Sequence, residues 1–243
     1  MKSYYLKNSL TAVFLLAATI IFSSCDKETL RGHGDVISAT RTVGAFDKIE
    51  VGGEFEVYLT QGEAKEIVLE GQENVLADVR SITRNNKLKI DFGSCRVKIK
   101  DRVRVYITTP HLSEVSVSGS NIVRGLTHWQ VNDFSLKTSG SGSVDLTLLG
   151  ANEVESRISG SGTITLYGQA RRQHLDISGS GRLHAFDFYT QATEVKISGS
   201  GKSDVRASEE LKATISGSGT VRFKGSPSVN SSVSGSGKVY PAG

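Results

Sequence analysis

Long apolar runs are nearly absent from this 243-residue chain. The one exception, Leu10 to Phe22, spans 13 residues, short of the ~20 a membrane-spanning helix needs. An excess of one charge is missing too. Residues 1–24 carry Lys2 and Lys7 but no acid, and beyond them 27 basic side chains face 25 acidic ones. That near-balance excludes nucleic-acid binding, which concentrates Lys and Arg on one face. Cysteine is almost absent, with only Cys25 and Cys95. The five histidines, His33, His111, His128, His174 and His184, show no metal-ligand spacing, and no Cys-x-x-Cys pair exists. No metal or cofactor is expected.

The apolar run follows a basic start and ends in "FSSC", the plan of a secretory leader. Small residues Ser23 and Ser24 before Cys25 resemble the lipobox of bacterial lipoproteins, with Phe22 where leucine is usual. The resemblance implies cleavage before Cys25, lipid on its sulfur, and a membrane partner through that anchor. An ordinary leader with an incidental cysteine is the alternative. With Cys25 lipidated, Cys95 has no partner for a disulfide, and a buried small apolar role suits it.

What is abundant is a tetrapeptide. Ser-Gly-Ser-Gly begins at Ser139, Ser159, Ser178, Ser198, Ser216 and Ser234, and once more at Ser118 with Asn121 as its fourth residue. The spacings are 21, 20, 19, 20, 18 and 18 residues. Read alone the motif is a flexible linker, but linkers do not recur at such a period between the same neighbours. Val117, Thr138, Ile158, Ile177, Ile197, Ile215 and Val233 precede the seven copies, and alternation follows, as in Val144-Asp145-Leu146 and Ile164-Thr165-Leu166. Period two rich in β-branched residues is a strand with one buried face.

Strands at a period near 20 with no helical segment between them predict an all-β fold, a parallel β-solenoid. A β-propeller, at ~40–45 residues per blade, fits the single motif per 20 residues less well. Continued parity through the motif predicts both serines outward and both glycines inward. Segments 46–51, 54–59, 65–71, 87–92 and 102–108 also alternate. They predict wider, irregular N-terminal turns, a separate β-sandwich being the alternative. The organisation expected is a leader at 1–24, a tether at 25–40 and one solenoid domain at 41–243. Within it, 41–117 form the N-terminal turns and 118–243 the repeats.

"FDKIEVGGEFEVYLTQGE", "VRVYITTPHLSEVSVSGS" and the serial "ISGSG" resemble the putative auto-transporter adhesin, head GIN domain family, from about Arg41 to Val239. The resemblance implies a secreted, often lipidated β-helical envelope protein and supplies no catalytic residues.

Parallel β-helices also host polysaccharide-cleaving enzymes, so carboxylate pairs matter. Asp145 and Asp204 share a predicted column but lie three turns apart, roughly 14 Å, too far for a glycosidase pair. Glu155, Asp176 and Glu194 form a candidate acidic patch, yet Lys137, Arg157 and Lys196 share that face. No G-x-S-x-G stands between a strand and a helix. Binding is the stronger expectation: Trp129, Tyr167, Phe186, Phe188 and Tyr189 fall far from the motifs, where they either stack on a glycan or fill core. The protein is read as a non-catalytic envelope lipoprotein, on the periplasmic or the outer face of the outer membrane, whose surface takes a glycan or a cell-surface protein; a polysaccharide-cleaving enzyme and a purely structural envelope protein are the alternatives.

Overall fold

The computed structural model describes residues 29–63, 66–94 and 96–243; Cys25 and Cys95 lie outside them. Successive windows of about 20 residues lie in register on one another. Strands β1 (Leu30–Arg31), β2 (Val36–Thr42), β3 (Lys48–Gly53), β4 (Phe55–Gln61) and β5 (Glu66–Gln72) precede a short helix, α1 (Glu73–Asp78). Then come β6 (Val79–Arg84), β7 (Lys87–Phe92), β8 (Val97–Lys98), β9 (Val103–Thr109) and β10 (Glu114–Gly119). The repeats supply β11 (Ile122–Gln130), β12 (Asp133–Gly140), β13 (Ser143–Gly160), β14 (Thr163–Gly179), β15 (Arg182–Gly199) and β16 (Lys202–Gly217). The last turns are β17 (Thr220–Lys224), β18 (Ser228–Gly235) and β19 (Lys238–Pro241).

From β10 onward every pairing is parallel, as a solenoid requires. Ser118, Ser139, Ser159, Ser178, Ser198, Ser216 and Ser234 form one unbroken column. The inward column just before the motif is closed to water at Val117, Ile158, Ile177, Ile197 and Ile215, each such side chain contributing about 1.5–3 kcal/mol by burial.

The motif itself departs from strict parity. Both serines face out, as alternation predicts, but only the second glycine faces in; Gly160 is exposed while Gly162 is buried. Gly160 has φ +112°, a conformation L side chains rarely adopt, and this reversal turns the chain without consuming extra residues. Its missing Cβ would stand 2.7 Å from the Gly140 carbonyl of the turn below. The second glycine solves a different problem: a Cβ on Gly181 would meet the Ile158 side chain at 2.3 Å. The inward isoleucine of one turn thus occupies the space the next turn's glycine leaves. Ladder bonding continues through the corner, the Ser161 N–H donating to Gly140 O (2.9 Å) and the Thr163 N–H to Gly142 O (3.0 Å). Backbone pairing from turn to turn is thus kept through the corner, which a flexible linker does not provide.

Opposite this corner the chain turns less regularly, and there the register slips: between Leu148 and Ala151, Thr165 and Gly168, His184 and Tyr189, and Thr190 and Ala192. Differences in turn length are absorbed at this far corner.

The N-terminal part is irregular in a specific way. β3 and β4 form one true turn, bent at Gly52-Gly53, with β10 and β11 stacked on it and β7 and β9 parallel beneath it. β5 runs antiparallel to both β2 and β9, and β6 antiparallel to β7, so a curled sheet closes this end. Phe55 stacks on Phe92 at 4.4 Å inside it. Val36–Thr40, the last part of the expected tether, are paired within strand β2. Its Arg41 guanidinium donates to Leu76 O (2.6 Å) and Val79 O (2.5 Å) at the end of α1.

Asn121 marks the junction. Fully buried, it accepts from the Phe55 N–H (2.7 Å) and donates to Ser118 O (2.7 Å) and Val51 O (3.3 Å). Its amide links the first repeat to the turn below, where Phe55 stands in place of a glycine.

Gly160→Val forces a β-branched side chain into a left-handed backbone against a neighbouring carbonyl. We expect a loss of about 3 kcal/mol or more, a fall in the thermal midpoint of roughly 6–12 °C, with Ser161→Ala nearly neutral. Differential scanning calorimetry checks both; equal midpoints for the valine variant and wild type would remove this account of the corner.

Candidate binding groove

The far corner carries a long groove of about 960 Å³. Its floor is a column of small residues in register, Ala151, Ala170, Thr190 and Ala207. Because these side chains are short, the wall is indented along the solenoid axis over several turns. Asn152, Gln169 and Gln191 supply amides along it, and Arg171 and Arg206 supply charge; no acidic residue lines it.

One aromatic ring stands in the groove. Tyr189 is 54% exposed, and the Arg206 guanidinium lies 4.5 Å from its ring centroid. Arg206 is itself fixed, its Nε donating to Phe186 O at 2.7 Å. Thr190 Oγ1, beside Tyr189, donates to Arg206 O at 2.6 Å. The ring is therefore braced on one side and open to solvent on the other. Such a surface offers an apolar plate next to fixed hydrogen-bond donors.

Trp129 requires a correction: it does not belong to a surface. It is fully buried, in the column of Leu148, Gly168 and Phe188, and fills core. Tyr167 is 40% exposed but lies outside the groove lining. Phe186 is half-buried, with Lys224 Nζ 4.8 Å from its ring centroid.

The three acidic candidates fall into two columns of one wall. Glu155, His174, Glu194 and Lys212 are in register, as are Arg157, Asp176 and Lys196 in the other. Arg157 binds Glu155 at 2.5 Å and lies 4.0 Å from Asp176. Glu194 takes Lys212 (3.2 Å), Lys196 (3.3 Å) and His174 Nδ1 (3.2 Å). This is charge-compensated surface, each of the three carboxylates having a basic side chain within 4.0 Å. Asp145 and Asp204 share a column three steps apart, and Asp204 is clamped by Arg222 Nε and Nη2, each at 2.7 Å. Among the described residues no group of three or more His, Cys, Asp or Glu is placed to hold a metal.

Sequence reasoning found Tyr189 but missed Arg171, Arg206 and the small-residue floor. Counted forward from each motif, the floor has no fixed offset, because turns differ in length. Counted back from the next motif the offset is nearly constant: Ala151, Ala170 and Thr190 each lie eight residues before a motif serine and Ala207 nine, and all four line the groove.

A family profile described as "Putative auto-transporter adhesin, head GIN domain" matches residues 45–227. No curated protein matches the chain. Among solved structures, a putative adhesin from Bacteroides fragilis NCTC 9343 is 24% identical, with a TM-score of 0.82 over 88% of this chain and 100% of its own. A putative lipid binding protein from Parabacteroides distasonis ATCC 8503 gives 21% and 0.75, over 89% and 100%. A putative adhesin from Parabacteroides merdae ATCC 43184 gives 24% and 0.71, over 89% and 100%. At these identities the likeness is one of fold.

Hydrogen bonding from Lys212, against the opposing effect of burial, holds the Glu194 carboxyl below its ordinary range. A depressed folded-state value stabilises the protein above the unfolded-state value, and that stability is lost as pH falls through the folded one. Urea unfolding of Glu194→Gln is therefore expected to show a shallower loss of stability than wild type below about pH 4.5. Identical acid limbs would discount the pair.

Proposed function

The chain belongs to the putative auto-transporter adhesin, head GIN domain family, and on that premise we propose a non-catalytic, lipid-anchored envelope adhesin that holds a glycan strand in the far-corner groove. The observation that carries this reading is the Tyr189 ring, open on one face and braced by Arg206 on the other. A pyranose presents an apolar C–H face and a rim of hydroxyls, and the groove offers a flat ring beside amides and guanidinium groups. An elongated, acid-free trough suits a polymer, neutral or carrying carboxylates, better than a compact metabolite. Its breadth across several turns supplies repeated, individually weak contacts that add along a chain.

Cys25 is the proposed anchor, carrying lipid on its sulfur and on the new N-terminus left by cleavage. The residues between Cys25 and β1 then join the lipid to the folded domain, β1 itself being paired with β8. A lipid ligand, suggested by the description of the P. distasonis structure, fits less well. The groove is open, and its most exposed groups are amides and guanidinium.

Titration calorimetry with neutral and uronic-acid-containing oligosaccharides tests the groove. Tyr189→Ala should weaken binding about 10- to 100-fold and Glu155→Gln should leave it unchanged; the reverse order would overturn the assignment. Cys25→Ser should move the protein from the membrane to the soluble fraction and abolish labelling by radioactive palmitate. Retained labelling would exclude that cysteine as the anchor.

A further inference from the structure

The two ends of the solenoid are finished differently. At the N-terminal end the curled sheet and α1 cover the core, and the outermost strand β6 carries Arg80 and Arg84. At the other end β18 is paired along one side only, to β16, and β19 to β17. Val229 and Val233 are 42% and 41% exposed, although the residues in register below them, Leu211 and Ile215, are fully buried. Among the described residues nothing covers the core at this end.

Free strand edges are normally guarded by charge or proline. β19 has both, in Lys238 and Pro241. The Lys238 and Ala242 N–H groups donate to the turn below, at 3.0 and 2.8 Å, so the alternate residue Pro241 turns its nitrogen to the open side and offers no donor. β18 has neither guard. "SVNSSVSG" contains no charge and no proline, and all eight of its residues are exposed.

The segment is also nearly the same read in both directions about Ser231. Val229 mirrors Val233, Asn230 mirrors Ser232, and Ser228 mirrors Ser234. We propose that β18 pairs antiparallel with β18 of a second copy of this chain, about a two-fold axis at Ser231. Val229 then lies against the partner's Val233, and polar residues lie against polar ones. No charge is buried, and the sheet runs on across the contact. Matched apolar cross-strand pairs favour this register. A one-residue slip would set valine against a polar residue of the opposite face. The contact is isologous and closes at two copies, and the guard on β19 confines pairing to β18. The inference is independent of the groove.

The purified full chain in detergent, followed by light scattering over a dilution series, should be a dimer that dissociates on dilution. The double variant Asn230→Glu with Ser232→Glu places like charges opposite one another at the contact. Asn230 stands over Lys212, so the new carboxylate at that position is matched within the fold, and circular dichroism confirms folding. Its dimer dissociation constant should rise at least tenfold. Hydrogen exchange gives a second reading that needs no variant: β18 amides of the wild type should gain protection as concentration rises. A wild type monomeric at every concentration, an undiminished dimer in the double variant, growth beyond two copies, or a dimer without added β18 protection would each overturn the proposal.

Discussion

Backbone resting on backbone governs this molecule. At the column of Gly119, Gly140, Gly160, Gly179, Gly199, Gly217 and Gly235 the chain reverses with positive φ, and each turn's carbonyl sits where a Cβ would otherwise be. No side chain intervenes, so the separation of turns is set by main-chain hydrogen bonding alone. A column of this kind allows one register. Sliding a turn by a single residue would drive a Cβ into a carbonyl, which makes the corner the reference from which every other column takes its position. The inward isoleucines then stack on like residues, and the core follows.

The far corner is ordered by different means. There side-chain volume keeps the walls apart: Trp129, Leu148 and Phe188 fill the interior at one column, while Gly168 in the same column rests on the Leu148 carbonyl of the turn below, where a Cβ would stand 2.0 Å away. Side chains of different size tolerate different turn lengths, hence the register slips between Leu148 and Ala151 and between His184 and Tyr189. Outside the same corner a run of small residues leaves a trough, and Tyr189 rises from it. The groove is thus a by-product of how the interior is packed just beneath it.

The solenoid was legible in the sequence because period, parity and motif all report a single repeated geometry. Column membership could be read for Ser159 and Ser178 or for Asp145 and Asp204, and the registers agree. What parity could not reveal was the outward turn of Gly160, since a positive φ breaks the alternation on which the reading depends. The N-terminal part was legible as strands but not as topology. Alternation in β5 or β9 says nothing about direction, and pairing there joins residues far apart in the chain. Trp129 illustrates a further limit. An aromatic at a corner faces in or out according to a slip of one residue, and that corner is where slips occur.

Confining regularity to one edge and latitude to the other has a consequence for how such a chain can change over generations. Lengthening or shortening a turn at the far corner reshapes the trough and its chemistry while the glycine column is undisturbed. A novel specificity can then arise by local trial within one turn, without the whole molecule having to rediscover its fold.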